Sequence, residues 1–181
     1  MAQKKTIFTK AKEIIVAVWE DAGASYPTSG DALNYVIADS LSITQDDPDE
    51  NSIDCETSDS PILNNLVAGS VGVDLNNASI DSEFLTKVLG WVETTTPKGL
   101  MAPDSFSTRY IALQVKFEGT GDGTKYLFLP RIAVAPKLVF ESLKTNVAYG
   151  TLSGTAESFE VGGQRGPMGL FDAAILTKTA G

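Results

Sequence analysis

The feature that most constrains the fold of this chain is an alternation of apolar and polar residues with a period of two. Over residues 109–118, Ile111, Leu113, Val115 and Phe117 alternate with Ala112, Gln114, Lys116 and Glu118. Successive side chains of a strand point to opposite faces of a sheet, so this pattern predicts a half-buried β-strand. Residues 119–124 are rich in glycine and residues 125–135 are again apolar, which predicts a β-hairpin. Pro130 has no N–H to donate, so the second strand should lie at a sheet edge or carry a bulge there.

The same period recurs in other parts of the chain. Over residues 66–76, Val67, Val71, Val73 and Leu75 alternate with the small or polar Ala68, Ser70, Gly72, Asp74 and Asn76. This alternation predicts a strand with one apolar face and one small polar face. Further strands are predicted over residues 7–19, 33–44, 138–143 and 147–161.

One segment, residues 81–91, has a helical period instead. Its apolar residues share one face at helical spacing, namely Phe84, Leu85, Val88, Leu89 and Val92. Asp81 can cap the N-terminus, and Ile80 can pack on Leu85 as a hydrophobic staple. Gly90 can end the helix in a left-handed conformation.

These patterns together predict the fold class. About six to eight strands and one short helix favour a mainly β fold, an antiparallel sandwich or barrel with a single flanking α-helix. At 181 residues, the chain is expected to form one domain over residues 1–181. No apolar run approaches the ~20 residues of a transmembrane helix, and no apolar block of the secretory type follows the basic start. We therefore expect a protein that is made and kept in a cytoplasm.

The residue inventory disfavours most enzyme chemistry. The chain has no histidine and one cysteine, Cys55. It therefore lacks the side chain most often used for proton transfer near neutral pH, and Cys55 lacks its usual base. No phosphate-binding or nucleophile motif is present, so only carboxylate chemistry such as glycoside hydrolysis is left open. We expect a protein that is not an enzyme and has no cofactor.

Charge is unevenly distributed along the chain. The net charge is −9, and positions 13 to 86 carry fifteen of the 23 acidic residues and no lysine or arginine. Proteins that bind nucleic acid tightly neutralise phosphates with clustered lysine and arginine, which this half of the chain lacks. Tight DNA binding is therefore disfavoured, whereas a surface along which DNA passes without being held is compatible with this charge.

The most acidic segment spans residues 45–61, with seven acidic residues and no basic ones. A long inter-strand loop without structure of its own is uncommon unless it is functional or disordered. Four interpretations are open: a calcium site, paired carboxylates for glycoside hydrolysis, a solvated mobile loop, and an arm that becomes ordered against a neighbouring subunit. The spacing of a calcium-binding loop is absent, and we favour the arm.

The order of these elements resembles the major tail tube protein of long-tailed bacteriophages: two strands, a long arm, a strand, an amphipathic helix, a hairpin and closing strands. Residues 40–48, SLSITQDDP, and residues 57–62, TSDSPI, are similar to the strand, arm and strand region of tail tube subunits from phages and prophages. Residues 148–156, AYGTLSGTA, look like the glycine- and threonine-rich closing strands of the same family.

The resemblance implies a β-sandwich with a flanking helix, six subunits closing into a ring, and rings stacking into a hollow tube that conducts DNA from capsid to host cell. The acidic arm would reach the next ring through Gln45, Asp46, Asp47, Asp49, Glu50, Asp54, Glu56 and Asp59. Candidates for the lumen surface are Ser70, Asp74, Asn76, Gln114, Lys116 and Glu118.

The same resemblance implies the partners and the location. The chain would bind further copies of itself and other tail proteins, namely the tape measure, terminator, baseplate and, where one is present, a sheath. DNA would pass through the lumen without specific binding, and no membrane partner is implied. Subunits would assemble in the bacterial host cytoplasm and end in the virion tail.

Alternatives from other classes stay open. A type VI secretion tube or a tail terminator would share the ring fold, and a β-sandwich binding module could use Trp19, Trp91 and the five tyrosines. The predicted hairpin also carries three basic residues, Lys116, Lys125 and Arg131. We expect these to pair with the acidic flank of a neighbouring subunit, which would make assembly sensitive to salt.

Overall fold

The computed structural model describes residues 7–20, 25–55, 58–78, 82–104, 108–120, 124–140 and 148–179. These residues form a mainly β fold with one short helix, Phe84–Val88, as the sequence predicts. The strands are β1 (Ile7–Val18), β2 (Ser29–Ala32), β3 (Ser42–Gln45), β4 (Asp49–Cys55), β5 (Ser58–Val67), β6 (Val71–Asn77), β7 (Val92–Thr95), β8 (Lys98–Met101), β9 (Arg109–Thr120), β10 (Lys125–Val139), β11 (Tyr149–Ala156), β12 (Phe159–Val161), β13 (Gln164–Gly166), β14 (Gly169–Phe171) and β15 (Thr177–Lys178).

Nine strands form one sheet in the order β15-β2-β1-β9-β10-β11-β6-β3, with β14 pairing with β10. Its strand pairs are antiparallel except for β15 and β2, which run parallel. The other six strands form three separate hairpins, β4–β5, β7–β8 and β12–β13. The large sheet is curled. Three strands separate β1 from β6 in the strand order, yet Val16 of β1 and Asn77 of β6 line the same cavity, together with Phe84.

The main core lies inside this curl. Alternate residues of five strands meet the helix there, and the buried set is Ile14, Val16, Val71, Val73, Leu75, Phe84, Val88, Leu89, Ile111, Leu113, Val115, Leu129, Ile132, Val134, Leu152 and Ala156. The period-two apolar positions predicted on β6 and β9 therefore face the core as expected. Burial of this apolar surface is the principal stabilising contribution to the fold.

The chain from β12 to β15 covers part of the opposite side of the sheet. Ile15, Ala17, Ala112, Phe128 and Leu176 form a second buried cluster there. Residues 111–115 are all buried, so the middle of β9 is enclosed on both sides rather than half-buried as predicted. The physical reason is the C-terminal segment, which packs over this side from a distant part of the sequence.

Pro130 interrupts the pairing of β9 and β10 as a bulge. Leu129 lies opposite Leu113 and Ile132 lies opposite Ile111, so β10 carries one extra residue. The predicted bulge is confirmed, whereas an edge position is wrong, because β10 pairs with β9, β11 and β14. The bulge leaves the Pro130 carbonyl free to accept a hydrogen bond of 3.0 Å from the indole N–H of Trp19.

The helix is shorter than predicted and is wound as a π-helix instead of an α-helix. The Leu89 N–H donates to the Phe84 carbonyl at 3.1 Å, which is a five-residue step. Gly90 has a φ of +74°, so the predicted left-handed end is confirmed. The Arg109 side chain donates to the Lys87 carbonyl at 2.9 Å and so satisfies one carbonyl of the last turn. The predicted cap and staple residues, Asp81 and Ile80, lie outside the described residues.

Four predicted strands differ from the observed ones. The predicted strand 138–143 is not separate, since residues 138–139 are the end of β10 and residues 141–143 lie outside the described residues. The predicted strand 147–161 is divided into β11 and β12 by residues 157–158. Only residues 42–44 of the predicted strand 33–44 are in a regular strand, β3, because residues 33–40 cross from β2 to the far side of β6, where Val36 bridges to Asn77. The predicted strand 66–76 is split between β5 and β6 by residues 68–70. The hairpins β7–β8 and β12–β13 were not predicted, since short exposed strands carry little alternation.

Candidate assembly surfaces

The acidic segment forms most of a β-hairpin made by β4 and β5. Asp49 lies opposite Val67 and Ile53 lies opposite Leu63, with an irregularity before Cys55 and Ser58 meet at the tip. Among the described residues, these two strands pair only with each other. The predicted arm at 45–61 therefore has regular structure of its own and extends to Val67. Of its predicted contact residues, Glu56 lies outside the described part of the chain.

The base of this hairpin is held by Asp46 and Ser70. The Asp46 N–H donates to the Ser70 carbonyl at 2.8 Å, and the Ser70 hydroxyl donates to the Asp46 carboxylate. Asp46 directly follows β3 and Ser70 directly precedes β6, so these bonds join the two segments that lead into and out of the hairpin. Ser70 was a lumen candidate and Asp46 an arm candidate, and the structure brings them together at the root of the hairpin. Gln45 and Asp47, on either side of Asp46, are exposed.

A second surface is the uncovered part of the outer side of the large sheet. It consists of alternate residues on four neighbouring strands, and we call it the open polar face: Ser42, Thr44, Gly72, Asp74, Asn76, Ala133, Ala135, Lys137, Thr151, Ser153 and Thr155. Each is exposed or half-buried. The face therefore presents mainly small side chains and hydroxyl groups, with one carboxylate and one ammonium group.

Asp74 lies near the centre of the open polar face. Its register partners are Ser42 on β3 and Ser153 on β11, and Ser153 pairs in turn with Ala135 on β10. The Ser153 hydroxyl donates to the Asp74 carboxylate at 2.6 Å. Asn76, two residues along β6, lies on the same face. Two of the six lumen candidates, Asp74 and Asn76, are therefore brought together on one exposed sheet surface.

Gln114 is incorrectly predicted as a lumen residue. It is 1% exposed, and its amide bonds to the backbone of Ile175 and Leu176 in the covering C-terminal segment. From the local alternation alone, a polar residue on the outer side of β9 is expected to face solvent. Gln114 instead forms buried hydrogen bonds with a segment about 60 residues later in the chain, which has few strand partners of its own.

Lys116 and Glu118 lie at the other end of β9 from the open polar face. Lys116 is half-buried with its ammonium group 5.9 Å from the centre of the Tyr126 ring. Glu118 is exposed and lies 2.7 Å from the Lys12 ammonium group. Neither residue is adjacent to Asp74 in the strand order, so the predicted lumen set separates into two places.

Two basic residues that were expected to pair with a neighbouring subunit pair within the chain. Lys125 forms an ion pair with Asp172. Arg131 Nε lies 3.1 Å from Glu157 Oε2, although its N–H is not aligned for a hydrogen bond. The Arg131 guanidinium also lies 4.1 Å from the centre of the Tyr110 ring. Lys125 and Arg131 therefore each have an acidic neighbour within the chain, and their pairing with another subunit stays a prediction.

Several other observations bear on the kind of site present. Among the described residues, no three acidic or sulfur side chains converge as a metal site would require, and no helix there is long and apolar enough to cross a membrane. Trp19 is buried and hydrogen-bonded to Pro130, so it does not supply an exposed aromatic surface.

No model of a known protein family matches the chain, and no curated protein matches it significantly in sequence.

Proposed function

We propose that this chain is a structural virion protein, the subunit of a hollow phage tail tube built from stacked six-subunit rings. The observation that supports it most is an open polar sheet face beside a hairpin whose two strands, within the described part of the chain, pair only with each other. A subunit of a tube needs one surface that can face a channel and others that engage further copies. The resemblance in element order described above points to the same family.

The chemistry of the open polar face suits passage of DNA. Its hydroxyl groups and its near-balanced charge, Asp74 and Lys137, offer no cluster of cations that would hold phosphates. Lysine and arginine clusters retain DNA by releasing counterions, so a face with one lysine would let a duplex slide. Asp74 would add local repulsion.

The ends of the sheet suit pairing with further copies. The sheet order begins with β15 and ends with β3, and each of these strands pairs with one neighbour among the residues that the structure describes. Uncovered strand edges favour addition of strands from another chain. Ring closure would remove these edges, and the β4–β5 hairpin would be free to contact the adjacent ring.

The experiment is negative-stain electron microscopy of the purified protein over a range of concentrations, with light-scattering mass measured on the same samples. Hollow tubes or stacked rings are the expected result. Single rings that never stack would favour a terminator-like protein, and a monomer at every concentration would contradict the proposal and favour a β-sandwich binding module. Tubes that exclude double-stranded DNA from their lumen would favour a secretion tube.

A further inference from the structure

The guanidinium group of Arg131 packs against two aromatic rings. Its Cζ atom lies 4.1 Å from the centre of the Tyr110 ring and 5.5 Å from the centre of the Trp19 ring. The Glu157 N–H donates to the Arg131 carbonyl at 2.8 Å, which also holds the backbone at the bulge. Ring contacts of this kind orient a guanidinium, so less rotamer entropy is lost when it binds a partner. We call Arg131, Tyr110, Trp19 and Glu157 the arginine site.

The hydrogen-bond donors of Arg131 are not used within the described part of the chain. Its side chain forms no hydrogen bond there, and the Glu157 carboxylate beside it is not aligned with the Nε–H. Nε is enclosed, whereas the two Nη groups are not, and the side chain is 20% exposed. The edge from which a guanidinium donates two parallel hydrogen bonds therefore reaches solvent.

The arginine site lies at the border of the open polar face. Tyr110 is the register partner of Ala133, which pairs in turn with Thr155, so these three residues form a row across the outer side of the sheet. Ala133 and Thr155 belong to the open polar face. On the other side of the site, the Trp19 ring packs edge-to-face on Phe159 of the covering segment, with ring centres 5.0 Å apart. The guanidinium edge is therefore presented beside the open polar face, where the cover ends.

We propose that the arginine site binds a phosphodiester group of the DNA backbone. Two parallel N–H donors match two oxygens of a phosphate, and arginine is the side chain best suited to this bidentate geometry. The inference rests on the proposed function, because the site meets DNA only where the open polar face lines the channel. It adds to that function the group of each subunit that touches the duplex.

Glu157 keeps this contact weak. Its Oε2 lies 3.1 Å from Arg131 Nε and its side chain is 43% exposed, so the carboxylate partly neutralises the guanidinium and repels an approaching phosphate. A single cation with an acidic neighbour differs from the clusters of lysine and arginine that retain DNA by releasing many counterions. Each contact therefore forms and breaks as the duplex slides.

The first test measures the affinity of the full-length protein for a labelled DNA duplex between about 50 mM and about 200 mM salt. Arg131→Gln should lower the affinity by about threefold or more at low salt and reduce the slope of its salt dependence by about 1. Glu157→Gln should raise the affinity by a similar factor. Arg131→Lys keeps the charge but loses the two parallel donors, and we expect an affinity below that of the unchanged protein.

Arg165→Gln and Glu160→Gln are the matched controls. These residues are exposed register partners on the β12–β13 hairpin, so the controls change charge in the same way without the two ring contacts. Neither should change the affinity appreciably. Equal effects of Arg165→Gln and Arg131→Gln would indicate general electrostatic attraction and would overturn the inference. Circular dichroism of every variant verifies folding.

A second readout locates the contact without requiring tubes. The Nε–H resonance of Arg131 in ¹⁵N-labelled protein is assigned from its absence in Arg131→Lys, below the concentration at which the protein assembles. We expect this resonance to shift as the duplex is added. A resonance that stays in place, together with an affinity that Arg131→Gln does not change, would overturn the inference.

Assembly separates this inference from the proposed function. Normal tubes from a protein whose DNA affinity does not depend on Arg131 would overturn the inference and leave the function intact. If Arg131→Gln prevents assembly while DNA affinity is unchanged, the site binds a carboxylate of a second copy and the inference is wrong. A protein whose Arg131 resonance responds to the duplex but which never assembles would support the site and contradict the proposed function.

Discussion

The side-chain amide of Gln114 hydrogen-bonds with the backbone of Leu176 in both directions. Its Oε1 accepts from the Leu176 N–H at 2.8 Å, and its Nε2 donates to the Leu176 carbonyl at 3.0 Å. The same oxygen accepts from the Ile175 N–H at 2.7 Å. One buried side chain thus fastens the C-terminal segment onto the middle of the sheet, and it replaces strand pairing at that point.

Replacing Gln114 with leucine should destabilise the protein strongly. The change removes three hydrogen bonds and leaves buried backbone groups of Ile175 and Leu176 without partners, at a cost of about 2–4 kcal/mol of unfolding free energy. Urea denaturation measures the effect. Gln164→Leu, at an exposed position of β13, is the control and should change the unfolding free energy by less than about 0.5 kcal/mol. Equal losses in both variants would refute the structural role of Gln114.

Trp19→Phe tests the hydrogen bond between the Trp19 indole and the Pro130 carbonyl at the bulge in β10. Phenylalanine keeps an aromatic ring but loses the five-membered part of the indole, including the N–H that donates to the Pro130 carbonyl, so we expect the unfolding free energy to fall by about 1–3 kcal/mol. Trp91→Phe is the control, because Trp91 is only partly buried against the core. Thermal unfolding followed by circular dichroism measures both. A Trp91 variant less stable than the Trp19 variant would contradict this interpretation.

Gly154→Ala should be more damaging than Gly166→Ala. A Cβ added at Gly154 would lie 2.2 Å from the Ala133 carbonyl oxygen on the paired strand, where backbone would have to move. At Gly166, the nearest atom would be the Met168 carbonyl oxygen at 3.6 Å, an ordinary contact. We expect a loss of about 2 kcal/mol or more in the first variant and little in the second. Urea denaturation that ranks them in the opposite order would show that the β10–β11 contact is looser than described.

Ser70→Ala tests how the acidic hairpin is anchored. Loss of the hydroxyl leaves the Asp46 carboxylate without its donor, so the hairpin base should open more often while the sheet stays intact. Hydrogen exchange of the β4 and β5 amides should accelerate by several-fold, with little change in global stability. Ser153→Ala removes the matching hydroxyl from Asp74 on the open polar face and should leave hairpin exchange unchanged. Unchanged exchange in the Ser70 variant would show that other contacts hold the hairpin.

Local sequence patterns predict those parts of the fold that depend on near neighbours. The hairpin of β9 and β10, the long β1, the bulge at Pro130 and the left-handed Gly90 were all predicted, because alternation, proline and glycine act within a few residues. Gln114 was misassigned because the segment that buries it follows more than 60 residues later. No local sequence pattern indicates that a distant segment covers this side of β9.

The candidate surfaces were predicted only in part for a related reason. Alternation correctly grouped Asp74 with Asn76, since both belong to one strand. It could not show that β11 and β3 supply serine and threonine beside them, because strand order is a non-local property. The acidic hairpin was expected as an arm without regular structure, since charged residues have low strand propensity, and cross-strand pairing overrides that preference here.

The central claim is that the open polar face lines a channel, and cryo-electron microscopy of the assembled protein tests it most directly. The prediction is a hollow tube of stacked rings in which Asp74 and Ser153 face the channel. An assembly in which these two residues lie on the outer surface or within a contact between subunits would contradict the claim, and so would a protein that forms no assembly.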